Sequence, residues 1–170
     1  SGISSRGLVG RLLRLPLKLI PGGAVVPILQ GPLKGKRWIA GSSTHGCWLG
    51  SYEFAKQQQF VRHIRRGDVV YDIGAHVGFY TLLSSQLVGD NGHVVAFEPF
   101  PSNIRFLRNH LKLNNIDNVT VVEKAVSDRH GQARFETSES TSMGHLVSES
   151  NSAPTINVDI VALDQYIKEA

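Results

Sequence analysis

Val69-Val-Tyr-Asp-Ile-Gly-Ala-His-Val-Gly-Phe-Tyr-Thr81, answered by His93-Val-Val-Ala-Phe-Glu98, decides the fold. The apolar positions Val69, Val70 and Ile73 read as a buried parallel strand, and two glycines then carry the chain into a helix. The next apolar run stops on a carboxylate, Glu98. In an open parallel sheet, ligands sit at the carboxyl ends of the strands, where the winding direction switches. A glycine turn at one strand end and an acid at its neighbour describe a pocket for an adenosine-like ligand. Glu98 can accept from both ribose hydroxyls, each charged hydrogen bond being worth roughly 1.5–3 kcal/mol.

The spacing selects among nucleosides. A dinucleotide site wants G-x-G-x-x-G, because its pyrophosphate lies against bare backbone at a helix N-terminus. Here the order is Asp72-x-Gly74-x-x-x-Gly78, with Ala75, His76 and Val77 between the glycines. A carboxylate two residues before the first glycine repels a diphosphate and attracts an ammonium group. S-adenosylmethionine has an α-amino group, a sulfonium and a ribose, and no phosphate. Both the acid and the spacing favour it. A P-loop is excluded, since no Gly-Lys-Ser/Thr follows. Taken alone, the glycines could equally serve close packing in an ordinary strand–turn–helix.

Several ordered motifs now coincide: Asp72-Ile-Gly-Ala-His-Val-Gly-Phe-Tyr-Thr81, Val95-Ala-Phe-Glu-Pro-Phe-Pro-Ser-Asn103, Leu107 through Asn114, and Ala125-Val-Ser-Asp128. Together they resemble the FkbM family of S-adenosylmethionine-dependent methyltransferases, commonly O-methyltransferases. The resemblance runs from about Trp48 to Tyr166, including the Gly50-Ser-Tyr-Glu53 lead-in and the closing Val161-Ala-Leu-Asp164. It implies cofactor contact by the turn Asp72, Gly74, Ala75, His76, Gly78, Phe79, Tyr80 and Thr81. It further implies ribose binding by Glu98 with Pro99 beside it, and adenine contact near Asn103, Ala125 and Val126. Two departures stand out: His76 replaces the family's usual Asn, and the family's later strand ending in Asp-x-Glu-Gly is absent.

The expected fold is α/β, a Rossmann-like class I methyltransferase sheet that is incomplete. Three parallel strands are expected at Val69–Ile73, His93–Phe97 and Val119–Glu123, with helices near Gly78–Val88 and Pro101–Leu113. An antiparallel β insertion follows, Arg134–Glu136 against Thr155–Val161, around a Ser/Thr-rich segment 137–153 expected to be mobile. A helix is expected over Glu53–Arg66, with Phe54, Val61 and Ile64 inward. Residues 1–52 form a basic arm and a hairpin (Ala24–Gln30 and Lys36–Ala40) that could lie over the cofactor mouth. Residues 53–170 form the N-terminal part of the cofactor-binding domain. By resemblance the first strand should be central in the sheet, so here it becomes an open edge. Either the chain is a fragment of a longer enzyme, the favoured reading, or a homodimer covers that edge.

Composition narrows the class further. At 170 residues the chain is one domain's worth. Residues 1–52 carry seven Lys/Arg and no acid, whereas residues 53–170 carry eleven Lys/Arg against fourteen Asp/Glu. The arm's charge permits peripheral contact with an anionic membrane, although leucines packing on the domain explain the arm as well. One cysteine, Cys47, rules out an internal disulfide and suits the cytoplasm. No run of 18 apolar residues exists to span a membrane. The opening Ser1-Gly2 in place of Met suggests a trimmed chain and stays outside fold reasoning.

Methyl transfer to an alcohol needs orientation and usually a base. The sequence offers no secure base, so the catalytic residue is left unassigned. Glu53 and His145 are the candidates for touching a small-molecule acceptor, such as a sugar or metabolite hydroxyl. Each also has a plainer reading, as a helix-start acid and as an exposed loop histidine. His45-Gly-Cys47 supplies two ligands and no cluster, so no metal is expected. Arg62, His63, Arg65 and Arg66 complement a helix C-terminus without nucleic acid. An RNA methyltransferase or RNA-binding module using the arm is the rival reading, disfavoured because the arm lacks interleaved aromatics. An inactive cofactor-binding fragment is the third.

Overall fold

Apolar strands that alternate with helices whose inward positions recur every three or four residues build a parallel sheet with a helical layer. The computed structural model describes residues 19–136 and 155–169. An antiparallel hairpin comes first, β1 (Val25–Pro27) and β2 (Arg37–Ile39), with Val25 opposite Ile39. Helices α1 (His45–Leu49) and α2 (Phe54–His63) lead into β3 (Val69–Ile73), α3 (Phe79–Val88), β4 (His93–Phe97), α4 (Pro101–Leu113) and β5 (Val119–Val122). Strands β3, β4 and β5 lie side by side in that order, all parallel, with Asp72 beside Ala96 and Ile73 beside Phe97. A second sheet combines β6 (Ala125–Ser127), β7 (Gly131–Glu136) and β8 (Thr155–Ala162), and α5 (Leu163–Glu169) closes the described chain. This is the Rossmann-like α/β architecture the motifs imply.

Two apolar layers flank the parallel sheet. On one side Leu82 and Leu83 of α3, Leu107 and Leu111 of α4 and Ala96 of β4 share a buried cluster with Ile28, Leu33, Trp38 and Trp48. Residues on both sides of the 52/53 boundary therefore contribute to a single core. On the other side Val95, Phe97 and Val161 pack with Tyr71, Leu163 and Tyr166, and Tyr166 meets the Phe97 ring edge-on at 5.1 Å.

Four expectations change. Val69 and Ile73 are not buried but 58% and 54% exposed, because β3 has a strand neighbour on one side only among the described residues. On α2, Phe54 is exposed and the buried residue is Gln57, whose side-chain amide donates to the Gly50 and Tyr52 carbonyls. A polar side chain wins that position because the tight turn before the helix leaves carbonyls needing donors. The β insertion is mixed: β7 and β8 are antiparallel, while β6 runs parallel to β8. The hairpin packs on α4 and not over the cavity, since β2 and α4 are joined through His110 and Asn114. The expected mobile segment 137–153 and the arm up to residue 18 lie outside the described residues. No helix among the described residues is long and apolar enough to cross a membrane.

His110 makes the hairpin's attachment sensitive to pH. Its ring is fully buried and stacks on Trp38, with centroids 3.8 Å apart and planes 13° from parallel. Its Nε2 accepts the Ile39 N–H at 3.0 Å, which only a neutral imidazole can do. Burial pushes its pKa from 6.5 down to about 4, against a smaller opposing pull from the Val77 carbonyl. The folded state therefore resists a proton that the unfolded chain accepts below 6.5. Stability is complete above that value and is lost as pH falls from 6.5 to about 4. Relative to His110→Phe, the wild-type chain should lose roughly 3 kcal/mol across that window, measured by urea unfolding at successive pH values.

Candidate functional site

Where β3 ends, the chain must turn sharply to enter α3, and the sequence provides Gly74 and Gly78 for the purpose. Both adopt left-handed backbone angles, φ 78° and 93°. Between them His76, which has a β-carbon, is also left-handed at φ 52°. Non-glycine residues persist in that region only when their surroundings hold them there. Gly74 and Ala75 both donate to the Phe97 carbonyl at 2.9 Å, fastening the turn to the end of β4. The His76 N–H then donates to Glu98 Oε2 at 2.7 Å. Glu98 Oε1 accepts from the Phe100 N–H at 2.9 Å and from Asn103 Nδ2 at 3.2 Å. Glu98 is thus a buried carboxylate beneath the turn, satisfied by hydrogen-bond donors and not part of the cavity lining.

Asp72 sits on the turn's opposite flank. Its Oδ2 accepts from the Thr81 hydroxyl at 2.6 Å. Burial raises its pKa, the Thr81 bond works against that, and the Glu98 charge adds to the rise. A cation beside Asp72 would reverse this cost of holding charge away from water.

A cavity of about 410 Å³ opens beside the turn. Asp72, Ile73, Gly74, Ala75, His76 and Val77 form one wall. The facing wall comes from the segment after the hairpin and from α2: Ser43, Thr44, Cys47, Tyr52, Glu53, Lys56 and Phe60, with Phe79 and Tyr80 between. The aromatic rings touch in series, Phe60 to Tyr80 at 4.7 Å, Tyr80 to Phe79 at 5.5 Å and Phe79 to Tyr52 at 5.3 Å. Glu53 is the polar hub, accepting from Lys56 Nζ at 2.9 and 3.0 Å and from the Tyr80 hydroxyl at 2.9 Å. Lys56 chiefly holds its pKa below the ordinary carboxylate value. Burial first, and then Glu53, raises that of the Tyr80 phenol. Glu53 is left-handed at φ 41°, so two of the three non-glycine residues of positive φ among the described residues line this one cavity.

The structure therefore brings Glu53, Asp72, Gly74, Ala75, His76, Phe79 and Tyr80 together. It places other expected site residues elsewhere. Gly78 is buried against α4, and a β-carbon there would collide with Leu107 Cδ1, so this glycine serves packing. Thr81 is buried behind Asp72, and Asn103 behind Glu98. Ala125 and Val126 lie in β6, where Ala125 packs with Val158 and Ile160 and Val126 with Val161; neither lines the cavity. Pro99 follows Glu98 in the half-buried link to α4. His145 falls outside the described residues. Sequence reasoning missed Ser43, Thr44, Tyr52, Lys56, Phe60 and His110 as site residues. Of these only Lys56 left a signal, as the i+3 partner of Glu53 on a helix start. Among the described residues no group of three or more His, Cys, Asp or Glu could hold a metal ion.

A family model described as the methyltransferase FkbM domain matches residues 72–170, more than half of the chain. A protein-L-isoaspartate O-methyltransferase from Ignicoccus hospitalis is 37% identical over 59 residues, covering 35% of this chain and 28% of the relative. Among solved structures, a candidate rRNA methylase from Clostridium thermocellum is 26% identical with a TM-score of 0.41, covering 42% of this chain and 39% of the other. A precorrin-6y C5,15-methyltransferase from Geobacter metallireducens is 29% identical with a TM-score of 0.38, covering 41% and 38%. The chain thus spans well under half the length of these proteins.

The two glycines of the turn should respond differently to one methyl group. Gly78→Ala combines a left-handed backbone with the Leu107 collision and should cost roughly 2–4 kcal/mol. Gly74→Ala meets nothing within 4 Å and should cost only about 1 kcal/mol of backbone strain. Urea unfolding of the two variants checks the order.

Proposed function

The chain belongs to the FkbM methyltransferase family, whose methyl donor is S-adenosylmethionine, and from that premise we propose that its cavity binds this cofactor and directs methyl transfer to a hydroxyl of a sugar or other small metabolite. The observation that carries the reading is the half-buried Asp72 carboxylate on the cavity wall, its pKa raised by desolvation, with Thr81 bonded to one oxygen. A cationic ligand fits such a group and a diphosphate does not. The open space over the Gly74 backbone lets a ligand lie against the turn.

When bound, the cofactor supplies a methyl group on a sulfonium. The chain's own residues do the rest. Asp72 holds the α-amino group. Glu98 is buried, does not line the cavity and already accepts from at least three N–H donors, so its part is to hold the turn that the cofactor lies against. Glu53 faces the turn across the cavity, ionised and fixed by Lys56 and Tyr80. A carboxylate with a lowered pKa is a weak base, so its part is to accept an acceptor hydroxyl's hydrogen bond and orient its oxygen. Tyr52 and Phe60 offer ring faces for the C–H side of a sugar. The buried free thiol of Cys47 accords with a reducing compartment such as the cytoplasm.

Calorimetric titration with S-adenosylmethionine tests the assignment. Asp72→Asn should weaken binding about 10- to 100-fold, the worth of one charged hydrogen bond. Its melting temperature should hold or rise, because a partly desolvated charge has been neutralised. Equal affinities in the two proteins would remove the Asp72 assignment, and no binding by the wild-type chain would remove the cofactor reading.

A further inference from the structure

Three residues of α4, spaced i, i+4 and i+7, meet the turn between β3 and α3 from below. Asn103 donates to Glu98, which takes the His76 N–H. Leu107 fills the space that the missing side chain of Gly78 leaves. His110 Nδ1 lies 2.8 Å from the Val77 carbonyl oxygen, and its Nε2 lies 3.0 Å from the Ile39 nitrogen. The Ile39 N–H can only donate, so Nε2 must be bare and the proton must sit on Nδ1, donating to Val77. The ring is fully buried and stacked on Trp38 at 3.8 Å, with the Phe106 ring 6.5 Å away, which limits its freedom to rotate.

We propose that His110 is a positioning residue for the cofactor turn: its Nδ1–H fixes the Val77 carbonyl, and with Glu98 on the His76 N–H it clamps the left-handed residue between two buried side chains. The proposal rests on the cofactor reading for its functional consequence and on the turn alone for its structural one. His76 spends conformational energy to hold φ 52°, and that strain survives only while the turn is held on both sides of it. Glu98 secures the group before its α-carbon and His110 the carbonyl one residue beyond. His76 and Val77 both line the cavity, so a loosened Val77 carbonyl changes the wall that the cofactor would touch. The same ring holds β2 through Ile39, which makes the hairpin a distant support of the turn.

Three variants of the full chain separate the ring's two bonds. His110→Asn keeps an amide donor near the Nδ1 position and loses the acceptor for Ile39. His110→Gln reaches the Nε2 position as an acceptor and loses the donor to Val77. His110→Phe keeps only the stack on Trp38. S-adenosylmethionine affinity should stay within threefold of wild type in His110→Asn and fall about tenfold in His110→Gln and His110→Phe, one buried hydrogen bond's worth. Amide exchange at His76 and Gly78 in the ligand-free proteins should quicken about tenfold in those same two variants and not in His110→Asn. A purely structural role predicts that affinity follows melting temperature across all three, and that result overturns the proposal. So does unchanged exchange at the turn in His110→Gln and His110→Phe. Failure of the wild-type chain to bind S-adenosylmethionine would sink the cofactor reading, and the exchange data would still decide the clamp.

Discussion

The Glu98 carboxylate receiving the His76 N–H holds this structure's functional end in place. A carboxylate away from water is costly unless donors surround it, and Glu98 has at least three: two backbone N–H groups and the Asn103 amide. Those donors come from the turn after β3, from Phe100 just before α4 and from Asn103 in its first turn. The acid therefore does more than end a strand. It ties a turn to a helix, and the strain at His76 is stored against that tie.

Around this point the molecule is organised in two shells. The inner one is the parallel sheet and α4, which present the turn with Asp72 on one flank and Glu98 on the other. The outer one is the segment that precedes the sheet. Its hairpin packs through Trp38 and His110, and its helices α1 and α2 swing Thr44, Glu53 and Lys56 across the cavity. The two walls have different chemistry. The turn offers backbone and a carboxylate whose burial favours a cation, whereas α2 offers an ionised acid already matched by a lysine and a phenol. That division suits a ligand carrying positive charge on the side of the turn.

Particular residues show how far the sequence could be read. Strand β4 and helix α4 fall on the expected residues because their apolar periods are clean and Pro101 marks the helix start. Strand β3 has the expected ends but the wrong burial, since period and composition do not report whether a neighbouring strand exists. Gly78 looked like ligand space in a motif and is a packing glycine against Leu107. Gln57 and His110 were invisible for a related reason. Polar residues on a helix read as solvent-facing unless the carbonyl or N–H that they satisfy, far along the chain, is known.

The sequence by itself determined the strand–turn–helix with its acid pair and the absence of a phosphate-type glycine loop. These are local: left-handed turns demand glycine, and a carboxylate's charge acts whatever lies beyond it. Only the tertiary structure decided that Glu53, Lys56 and Tyr80 share a wall, that Glu98 is gripped by α4, and that a buried imidazole joins the hairpin to the turn. Those contacts link residues as many as 71 positions apart, as between Ile39 and His110. Their partners are chosen by packing, which no local pattern of residues encodes.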